Sequence, residues 1–219
     1  MSERDLLDAA RQLAGVRLGE LAARFDVPVP TSLRRAKGFT GQLVERALGA
    51  TAGSRAVPDF EGLGIELKTL PVDRRGRPCE STFVCTIDLL RIADEEWDDC
   101  RVRRKLARVL WVPVEGERVI DPGARRLGSP LIWSPDADEE AALRFDYEEL
   151  AGLIGRGDVE QVTGHLGRSL QVRPKAAHSR ARRLGKDADG AAFPTLPRGF
   201  YLRASFTEAL LRKHYVLPR

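Results

Sequence analysis

Cysteine, histidine and lysine are all scarce in this sequence, and long apolar stretches are missing. The cysteines, Cys79, Cys85 and Cys100, are odd in number and contain no C-x-x-C pair, which argues against a disulfide framework and a cysteine-rich zinc site. No uncharged apolar run approaches the length of a membrane span. The N-terminus carries acids where a signal peptide has basic and then apolar residues. We therefore expect a soluble, cytoplasmic protein with no membrane partner.

Several common catalytic motifs are also missing. The sequence contains no G-x-x-x-x-G-K-[ST], no H-E-x-x-H and no G-x-S-x-G, which argues against a P-loop ATPase, a zinc metalloprotease of that type and a serine hydrolase with a nucleophile elbow. The three histidines lack zinc-ligand spacing. The length of 219 residues corresponds to one domain, of one or two lobes.

The net charge of +4 conceals strong blocks of one sign. Residues 129–160 hold two basic and nine acidic side chains, whereas residues 161–219 hold twelve basic and three acidic ones. Between Glu160 and Asp187 there are seven basic residues and no acid. Such a block favours a polyanionic partner such as nucleic acid, with a solvated, self-repelling loop as the alternative.

Apolar periodicity and capping residues predict a mixed α/β protein. We expect Pro71 to end the first strand, residues 109–120 to form a hairpin, and residues 176–192 to form a short helix and a loop. A capping box of Ser205 and Glu208 is expected to open the last helix, while residues 101–108 are undecided between helix and strand. The expected helices cover residues 2–13, 18–25, 38–48 and 137–154, and the other expected strands cover residues 63–70, 82–87, 169–172 and 200–203.

Two acidic residues and a lysine are spaced around the first predicted strand. Glu66 and Lys68 project from the same face because side chains alternate along a strand, and Asp59 enters from the preceding turn. Two carboxylates and the Leu67 carbonyl can hold a hard divalent cation such as Mg²⁺, which activates water and neutralises charge on a phosphate. Lys68 would then lie beside the attacking water. The alternative is an ordinary exposed Glu–Lys pair, since E-x-K arises easily by chance.

Other candidate residues lie outside that strand. Glu45, just beyond the apolar arc of the third predicted helix, is either a third carboxylate or a solvated side chain. Arg173 and Lys175 share a direction at a strand end, where they suit contacts to guanine or phosphate, unless they form an ordinary basic edge. Gly199 permits close backbone approach and Tyr201 can touch a base edge, although strand aromatics are commonly core residues.

Basic residues are also dense in one short segment. Residues 101–108 contain five basic side chains in eight positions, which form a candidate phosphate track or else a solvated face. Only six basic residues of the chain are lysines, and a lysine offers a compact charge with a movable proton that arginine lacks. We therefore single out the interior lysines as candidate functional residues: Lys37, Lys68, Lys105 and Lys175.

These candidates lie in segments that together resemble the MutH family of bacterial DNA mismatch-repair endonucleases. The similar segments run collinearly over nearly the whole chain, and together they are far more specific than the E-x-K spacing. Residues 178–192 are the least similar. The segments are LGELAARF at 18–25, KGFTGQLVERALGATAGS at 37–54, DFEGLGIELKTLPVDRRGRP at 59–78, STFVC at 81–85, RRKLARVLWVPVEGER at 103–118, GSPLIWSP at 128–135, LQVRPKAA at 170–177 and TLPRGFYLRASFTEALLRKHY at 195–215.

The resemblance implies a fold, an activity and partners. The family fold is the restriction-endonuclease-like core, an α/β structure with a mixed β-sheet flanked by helices and two lobes around a DNA-binding cleft. Residues 1–219 would then form one endonuclease domain. The implied activity is Mg²⁺-dependent nicking of the unmethylated strand at hemimethylated GATC sites in double-stranded DNA, stimulated by MutL, which MutS recruits to a mismatch. One or two Mg²⁺ ions are implied, with Mn²⁺ or Ca²⁺ able to replace them in binding, and a monomer is expected.

The resemblance also implies roles for individual residues. Asp59, Glu66 and Lys68 take the catalytic positions, Glu45 joins them near the metal, and Leu67 contributes its carbonyl as a metal ligand. Tyr201 becomes the candidate sensor of adenine methylation, because a ring packed against the adenine edge would meet an added methyl group. The positions implied to lie near DNA are Lys37, Phe83, Lys105, Arg173, Lys175, Gly199 and Tyr201.

Two other functions remain open at this point. A GATC-specific restriction endonuclease would make double-strand breaks on the same fold, but the chain has no spare domain for dimerisation or a second site. A catalytically silent DNA-binding module has no need of clustered acids facing phosphate, so the Asp59, Glu66 and Lys68 set argues against it.

Overall fold

The computed structural model describes residues 1–33, 36, 38–53, 55–176 and 180–215, which form a mixed α/β protein. Short 3₁₀ turns cover Glu61–Leu63, Ile92–Asp94, Trp97–Asp99 and Pro122–Ala124. The helices are α1 (Glu3–Gln12), α2 (Leu18–Ala23), α3 (Phe39–Leu48), α4 (Arg101–Leu106), α5 (Ala137–Gly155) and α6 (Ala204–His214). The strands are β1 (Glu66–Val72), β2 (Thr82–Thr86), β3 (Val109–Glu115), β4 (Leu131–Trp133), β5 (Leu170–Pro174), β6 (Arg183–Lys186), β7 (Ala192–Thr195) and β8 (Arg198–Leu202).

The chain folds into two compact units. Unit one comprises Met1–Glu80, Ala107–Ser134 and the described residues from Glu208 onward, and unit two comprises Ser81–Leu106 and Pro135–Thr207. Within the described residues, no helix combines the length and the apolar composition that crossing a bilayer requires.

Unit one is built on a three-stranded mixed sheet of order β1-β3-β4. Strands β1 and β3 pair in parallel, with Leu67 opposite Leu110, and β4 pairs antiparallel to β3. One face of the sheet packs against α1, α2 and α3, where Leu6, Leu18 and Val44 are fully buried. The first helix begins as the sequence predicts, because Ser2 and Asp5 form a reciprocal capping box.

Strand β1 does not end at Pro71, contrary to the sequence prediction, but runs on to Val72. The Glu66 N–H donates to the Arg108 carbonyl on the β3 side. Alternate residues of a parallel strand face the same neighbour, so the backbone groups of Leu67 and Pro71 face the open edge. A proline there removes no ladder hydrogen bond, which is why the strand tolerates it.

Unit two is built on a three-stranded antiparallel sheet of order β2-β8-β5, with α5 packed behind it. Phe200 of β8 packs against Tyr147 of α5 with ring centroids 5.4 Å apart, and Trp97 lies 5.6 Å from Tyr147 on the other side. Burial raises the pKa of the Tyr147 hydroxyl, so this group stays protonated at any physiological pH. Helix α5 begins where the sequence predicts it.

Four further expectations are corrected or settled by the structure. The hairpin expected over residues 109–120 is wrong, because β3 pairs with β1 and β4 and residues 118–120 form a turn. The short helix and loop expected over residues 176–192 are also wrong where the structure describes them, since β6 and β7 form a hairpin. Helix α6 begins at Ala204, so Ser205 lies within the helix and the expected capping box of Ser205 and Glu208 does not open it. Residues 101–106, which the sequence left undecided between helix and strand, are helical.

Candidate active site and nucleic-acid interface

The open edge of β1 carries the first candidate group, centred on Leu67. The Leu67 N–H faces away from β3 and donates a 2.8 Å hydrogen bond to Oδ2 of Asp59. The chain can return to its own strand edge because Gly64, with φ of 65°, closes a tight turn in which Phe60 and Ile65 form a bridge. The backbone carbonyl of Leu67 faces the same open edge as its N–H, so it lies on the same side of the strand as the Asp59 carboxylate.

Glu66 and Lys68 form a close, buried ion pair on one face of β1. Lys68 Nζ lies 2.6 Å from Oε1 of Glu66, with only 12% of the lysine and 5% of the glutamate side chain exposed. The alternative of an ordinary exposed Glu–Lys pair is therefore wrong as to exposure, and the predicted shared face is confirmed. Taking both charges out of water costs several kcal/mol per ion before their attraction is counted. Such burial is typical of charges that a site uses.

Glu45 lies on α3, half-buried, on the helix that packs beside β1. Its Oε1 is 3.7 Å from the position that a Cβ on Gly41 would occupy, and Thr69 Oγ1 is 3.9 Å from that position. The Glu45 carboxylate and the Thr69 hydroxyl of β1 are therefore both close to Gly41, so the Glu45 side chain points toward β1. Within the described residues, however, no three acidic, histidine or cysteine side chains come close enough together to hold a metal ion, so Glu45 does not complete a three-carboxylate cluster.

The donor atoms at this edge nevertheless fit a hard divalent cation. Asp59 accepts the Leu67 N–H and Glu66 precedes Leu67 on the same strand, so the candidate donors, two carboxylates and the Leu67 carbonyl, are oxygens alone. Mg²⁺ is commonly bound through one or two carboxylates while keeping several water ligands. Asp59, Glu66 and the Leu67 carbonyl are therefore the groups that could hold such an ion.

A second group, in unit two, combines aromatic rings with cations on the outer face of the β2-β8-β5 sheet. Phe83 and Tyr201 pair across β2 and β8 and meet edge to face, with ring centroids 5.3 Å apart. Lys175 Nζ lies 4.1 Å above the Phe83 ring, and the Arg173 guanidinium lies 5.9 Å from the Tyr201 ring. Arg173 also donates a 2.7 Å hydrogen bond to Ser81 Oγ. We call Phe83, Arg173, Lys175, Gly199 and Tyr201 the aromatic–cation cluster.

Gly199 lies at the centre of this cluster for a steric reason. A Cβ at this position would be 2.9 Å from Phe83 Cε2 and 3.0 Å from the Cys85 carbonyl oxygen, closer than real Cβ atoms approach. Only glycine therefore lets β8 pass beneath the Phe83 ring. The sequence interpretation of Gly199 as a site of close approach is consistent with this geometry, although the approach seen is between parts of the protein itself.

The two neighbouring aromatic residues of β8, Phe200 and Tyr201, differ in burial. Phe200 is fully buried against α5, whereas Tyr201 is half-exposed on the opposite face of the sheet. Lys105 lies on α4, half-buried. Lys37 falls outside the described residues, so its predicted position near DNA stays a prediction. Asp59, Glu66 and Lys68 belong to unit one and the aromatic–cation cluster belongs to unit two.

One supporting residue was not found from the sequence. Asp146 of α5 is 1% exposed and accepts hydrogen bonds from three consecutive N–H groups, those of Arg168, Ser169 and Leu170, at 2.6 to 3.0 Å. It holds the start of β5, the strand that carries Arg173. The only sequence signal is an acid inside the apolar stripe of a helix, at a position where packing predicts an apolar residue.

Comparison with known proteins identifies the family. A family model described as "DNA mismatch repair enzyme MutH" matches residues 48–146. The DNA mismatch repair protein MutH of Klebsiella pneumoniae (strain 342) is 55% identical over 216 residues, covering 99% of this chain and 94% of that protein. The MutH proteins of Photorhabdus laumondii and Serratia proteamaculans are 53% and 52% identical, with coverage of 98% or more of this chain and 94% or more of each relative. This chain belongs to the MutH family of DNA mismatch repair proteins.

Proposed function

We propose that this protein is a Mg²⁺-dependent endonuclease that nicks the unmethylated strand of DNA at hemimethylated GATC sites during mismatch repair. The single observation that carries the proposal is the arrangement at the edge of β1. There the Asp59 carboxylate bonds the Leu67 backbone, and a buried Glu66–Lys68 pair adjoins it. Family membership, with identity of more than half over nearly the full chain, supports the same activity.

Asp59 and Glu66, with the Leu67 carbonyl, are proposed to hold the metal. When bound, the divalent ion activates a water molecule and neutralises charge on the scissile phosphate. Asp59 keeps its orientation because its carboxylate also accepts the Leu67 N–H. The Glu66 carboxylate is held by the Lys68 ammonium on the face of β1 that the two side chains share. Glu45, from α3, is proposed to act nearby without completing a three-carboxylate cluster.

Lys68 is proposed to orient the attacking water and to stabilise it as it loses its proton. An ammonium group offers three rotatable donors at the end of a flexible stem, so Lys68 can bond a water molecule while remaining close to Glu66. In-line attack on phosphorus would break the bond to the 3′ oxygen, leaving a 5′-phosphate and a 3′-hydroxyl. The 3′ oxygen takes up a proton as it leaves.

The aromatic–cation cluster is proposed to bind the GATC sequence. Arg173 and Lys175 are exposed cations at the end of β5, suited to guanine and phosphate contacts. The Tyr201 ring is proposed to pack against the adenine edge, where an added methyl group would meet it. Lys37 and Lys105 are proposed to make further contacts to DNA.

The two units are proposed to be the two lobes of one restriction-endonuclease-like domain, with DNA bound between them. We further propose that the protein acts as a cytoplasmic monomer and that MutL stimulates nicking after MutS recruits it to a mismatch. The family name states mismatch repair. These partner relations are proposals for this chain.

A plasmid-nicking assay tests the function directly. Plasmid DNA with GATC sites would be supplied unmethylated, hemimethylated or fully methylated, in Mg²⁺, with and without MutL and ATP. We expect nicks confined to unmethylated strands and increased by MutL. Nicking that ignores methylation would contradict the proposed specificity, and an absence of MutL stimulation would contradict the proposed partner.

The same assay separates the two other functions. Double-strand cuts made without MutL would place the protein with GATC restriction endonucleases. DNA binding without any cleavage, with or without metal, would indicate a silent DNA-binding module, and the roles given to Asp59, Glu66 and Lys68 would be withdrawn.

A further inference from the structure

The β6–β7 hairpin emerges from the end of the sheet that carries the aromatic–cation cluster. Strands β5 and β8 are antiparallel neighbours, and the last bond of their ladder runs from the Lys175 N–H to the Pro197 carbonyl at 2.7 Å. The hairpin lies in the chain between those two residues. The segment that contains the hairpin therefore leaves the sheet after Lys175 and returns to it before Arg198, at the same end of the sheet as Lys175 and Gly199.

One face of the hairpin is exposed and combines three apolar side chains with one lysine. Leu184 pairs with Pro194, and Lys186 pairs with Ala192, so these four side chains share one face. All four are exposed, and Leu184 has 54% of its surface accessible to solvent. We call this the outer face of the hairpin.

Exposed cations flank Leu184. Lys186 lies on the same outer face, and Arg182 stands two residues before Leu184, both with exposed side chains. Arg183 is also exposed, but it projects from the opposite face because side chains alternate along a strand. Asp187, the nearest carboxylate in the chain, accepts hydrogen bonds from the N–H groups of Asp189 and Ala191 and so organises the turn. The hairpin thus presents one aliphatic side chain between positive charges.

The hairpin is held in place by its other face and its turn. A Cβ on Gly185 would lie 3.2 Å from Thr195 and 3.8 Å from Leu89 of the same unit. Gly157, at the end of α5, packs so closely on the backbone of Asp187 that a Cβ would be 2.2 Å away. Since the inner face and the turn are packed against unit two, the outer face is presented in a defined direction.

We propose that the outer face of the β6–β7 hairpin is a second, sequence-independent contact surface for the backbone of duplex DNA flanking the nicking site. The inference rests on the proposed function in taking duplex DNA as the ligand of the aromatic–cation cluster. Lys186 and Arg182 bind phosphates, and Leu184 packs against the apolar faces of deoxyribose sugars. Charge complementarity selects this occupant, because the segment from residue 161 to residue 186 is basic throughout.

The dimensions suit such a contact. Each four-residue strand spans about 13 Å, which corresponds to about four base pairs at a spacing of 3.4 Å each. Phosphate contacts fix position on a duplex and carry no sequence information. The hairpin should therefore raise affinity for any duplex that reaches it, without changing which sequence is preferred.

The test measures affinity of the full chain for duplex DNA over a range of salt concentrations. The double variant Arg182→Ala/Lys186→Ala and the single variant Leu184→Ala are compared with wild type. Their matched controls are Arg144→Ala and Phe145→Ala, which remove an exposed cation and an exposed apolar side chain from the middle of α5. Each protein is measured on a GATC duplex, on a duplex with that site scrambled, and on GATC duplexes shortened stepwise from either end.

We expect the double variant to lose about tenfold in affinity on both long duplexes and to lower the slope of log K against log salt by about 2, since each lost phosphate contact accounts for about 0.9. The ratio of GATC to scrambled affinity should stay unchanged. Wild type should show a drop in affinity at one shortening step that the double variant lacks. Leu184→Ala should lower affinity severalfold without changing the salt slope.

Unchanged affinity and slope in the double variant would overturn the proposal and would leave an acidic protein segment as the occupant of this face. A changed GATC-to-scrambled ratio would overturn the sequence-independent part. The outcomes separate from those of the proposed function: loss of hairpin-dependent affinity on the scrambled duplex in a chain that nicks nothing would support the contact surface while contradicting the nuclease.

Discussion

The Asp59 carboxylate and the Leu67 backbone N–H are joined by a 2.8 Å hydrogen bond across eight positions of sequence. The strand that carries Glu66 and Lys68 therefore also orients the other proposed catalytic acid. Any shift of β1 would move all three groups together, which keeps their spacing constant. The hydrogen bond therefore fixes the Asp59 carboxylate, which comes from a turn, relative to the strand that carries Glu66 and Lys68.

Asp59→Asn should separate the structural role of this side chain from its catalytic role. The amide oxygen can still accept the Leu67 N–H, so we expect the free energy of unfolding to change by less than about 1 kcal/mol. Nicking should fall at least about a hundredfold, because a neutral ligand weakens metal binding and activation. Plasmid nicking and urea unfolding check this, with Glu61→Gln as the control for a nearby exposed acid. Nicking near the wild-type rate would remove Asp59 from the metal site.

Lys68→Ala should abolish catalysis while leaving DNA binding intact. Loss of a group that positions the attacking water and stabilises it as it loses its proton lowers rates by about 10²- to 10⁴-fold, whereas Lys68 is mostly buried and has little surface to offer DNA. Nicking rate and duplex affinity in Ca²⁺ are the two measurements. Lys213→Ala, at the exposed end of α6, serves as control. The role assigned to Lys68 could not survive a variant that nicks at the wild-type rate.

Tyr201→Ser should narrow the preference for unmethylated over methylated strands. Serine removes the ring that we propose to contact the adenine edge, so a methyl group on adenine would lose its steric partner. Tyr201→Phe keeps the ring and its contact with Phe83, 5.3 Å between centroids, and should preserve the preference. The ratio is obtained from the nicking rates of the unmethylated and the methylated strand, measured separately on hemimethylated plasmids. An unchanged ratio in the serine variant would exclude Tyr201 as the sensor.

Gly199→Ala should destabilise unit two and weaken DNA binding together. The added Cβ would overlap Phe83 and the Cys85 carbonyl, one of them rigid backbone, and overpacking of this kind costs about 1–3 kcal/mol. Gly62→Ala is the matched control, since nothing lies within 4 Å of its Cβ position. Urea unfolding and duplex affinity are measured for both. Equal stability of the two variants would show that the sheet absorbs the added methyl group.

Asp146→Ala should destabilise the protein by about 3 kcal/mol or more, since it leaves buried N–H groups without their acceptor. Glu149→Ala, on the exposed side of the same helix, should change the free energy of unfolding by less than about 0.5 kcal/mol. Denaturant unfolding of both variants provides the comparison. A small effect at Asp146 would mean that water replaces the carboxylate.

The sequence predicted most of the helices and the shared face of Glu66 and Lys68 because both depend on local patterns. The capping box at Ser2 and the alternation through Glu66 and Lys68 require only neighbouring residues. The burial of the Glu66–Lys68 pair was not predictable, since it depends on what packs over that face. Pro71 was misread for a related reason: proline opposes a strand only where its nitrogen faces a partner, and edge position is a property of the whole sheet.

Long-range pairing accounts for the remaining errors. Residues 109–120 have the composition of a hairpin, but β3 pairs with β1, which lies far away in the sequence. The aromatic–cation cluster joins three strands, so the contact of Lys175 with Phe83 could not be derived from spacing. Residues 176–192 are polar and basic, which suggested a loop and concealed the alternation of β6.

The open edge of β1 also bears on solubility. An exposed strand edge invites pairing with another chain, and proteins block such edges with charge or proline. Here the Leu67 N–H is occupied by Asp59, Pro71 has no N–H to offer, and the Pro71 carbonyl accepts from Cys79. The carboxylate proposed for catalysis therefore also guards against strand-to-strand self-association. Substituting Asp59 with alanine, a common way to make an inactive nuclease, would open this edge to aggregation in a way that asparagine does not.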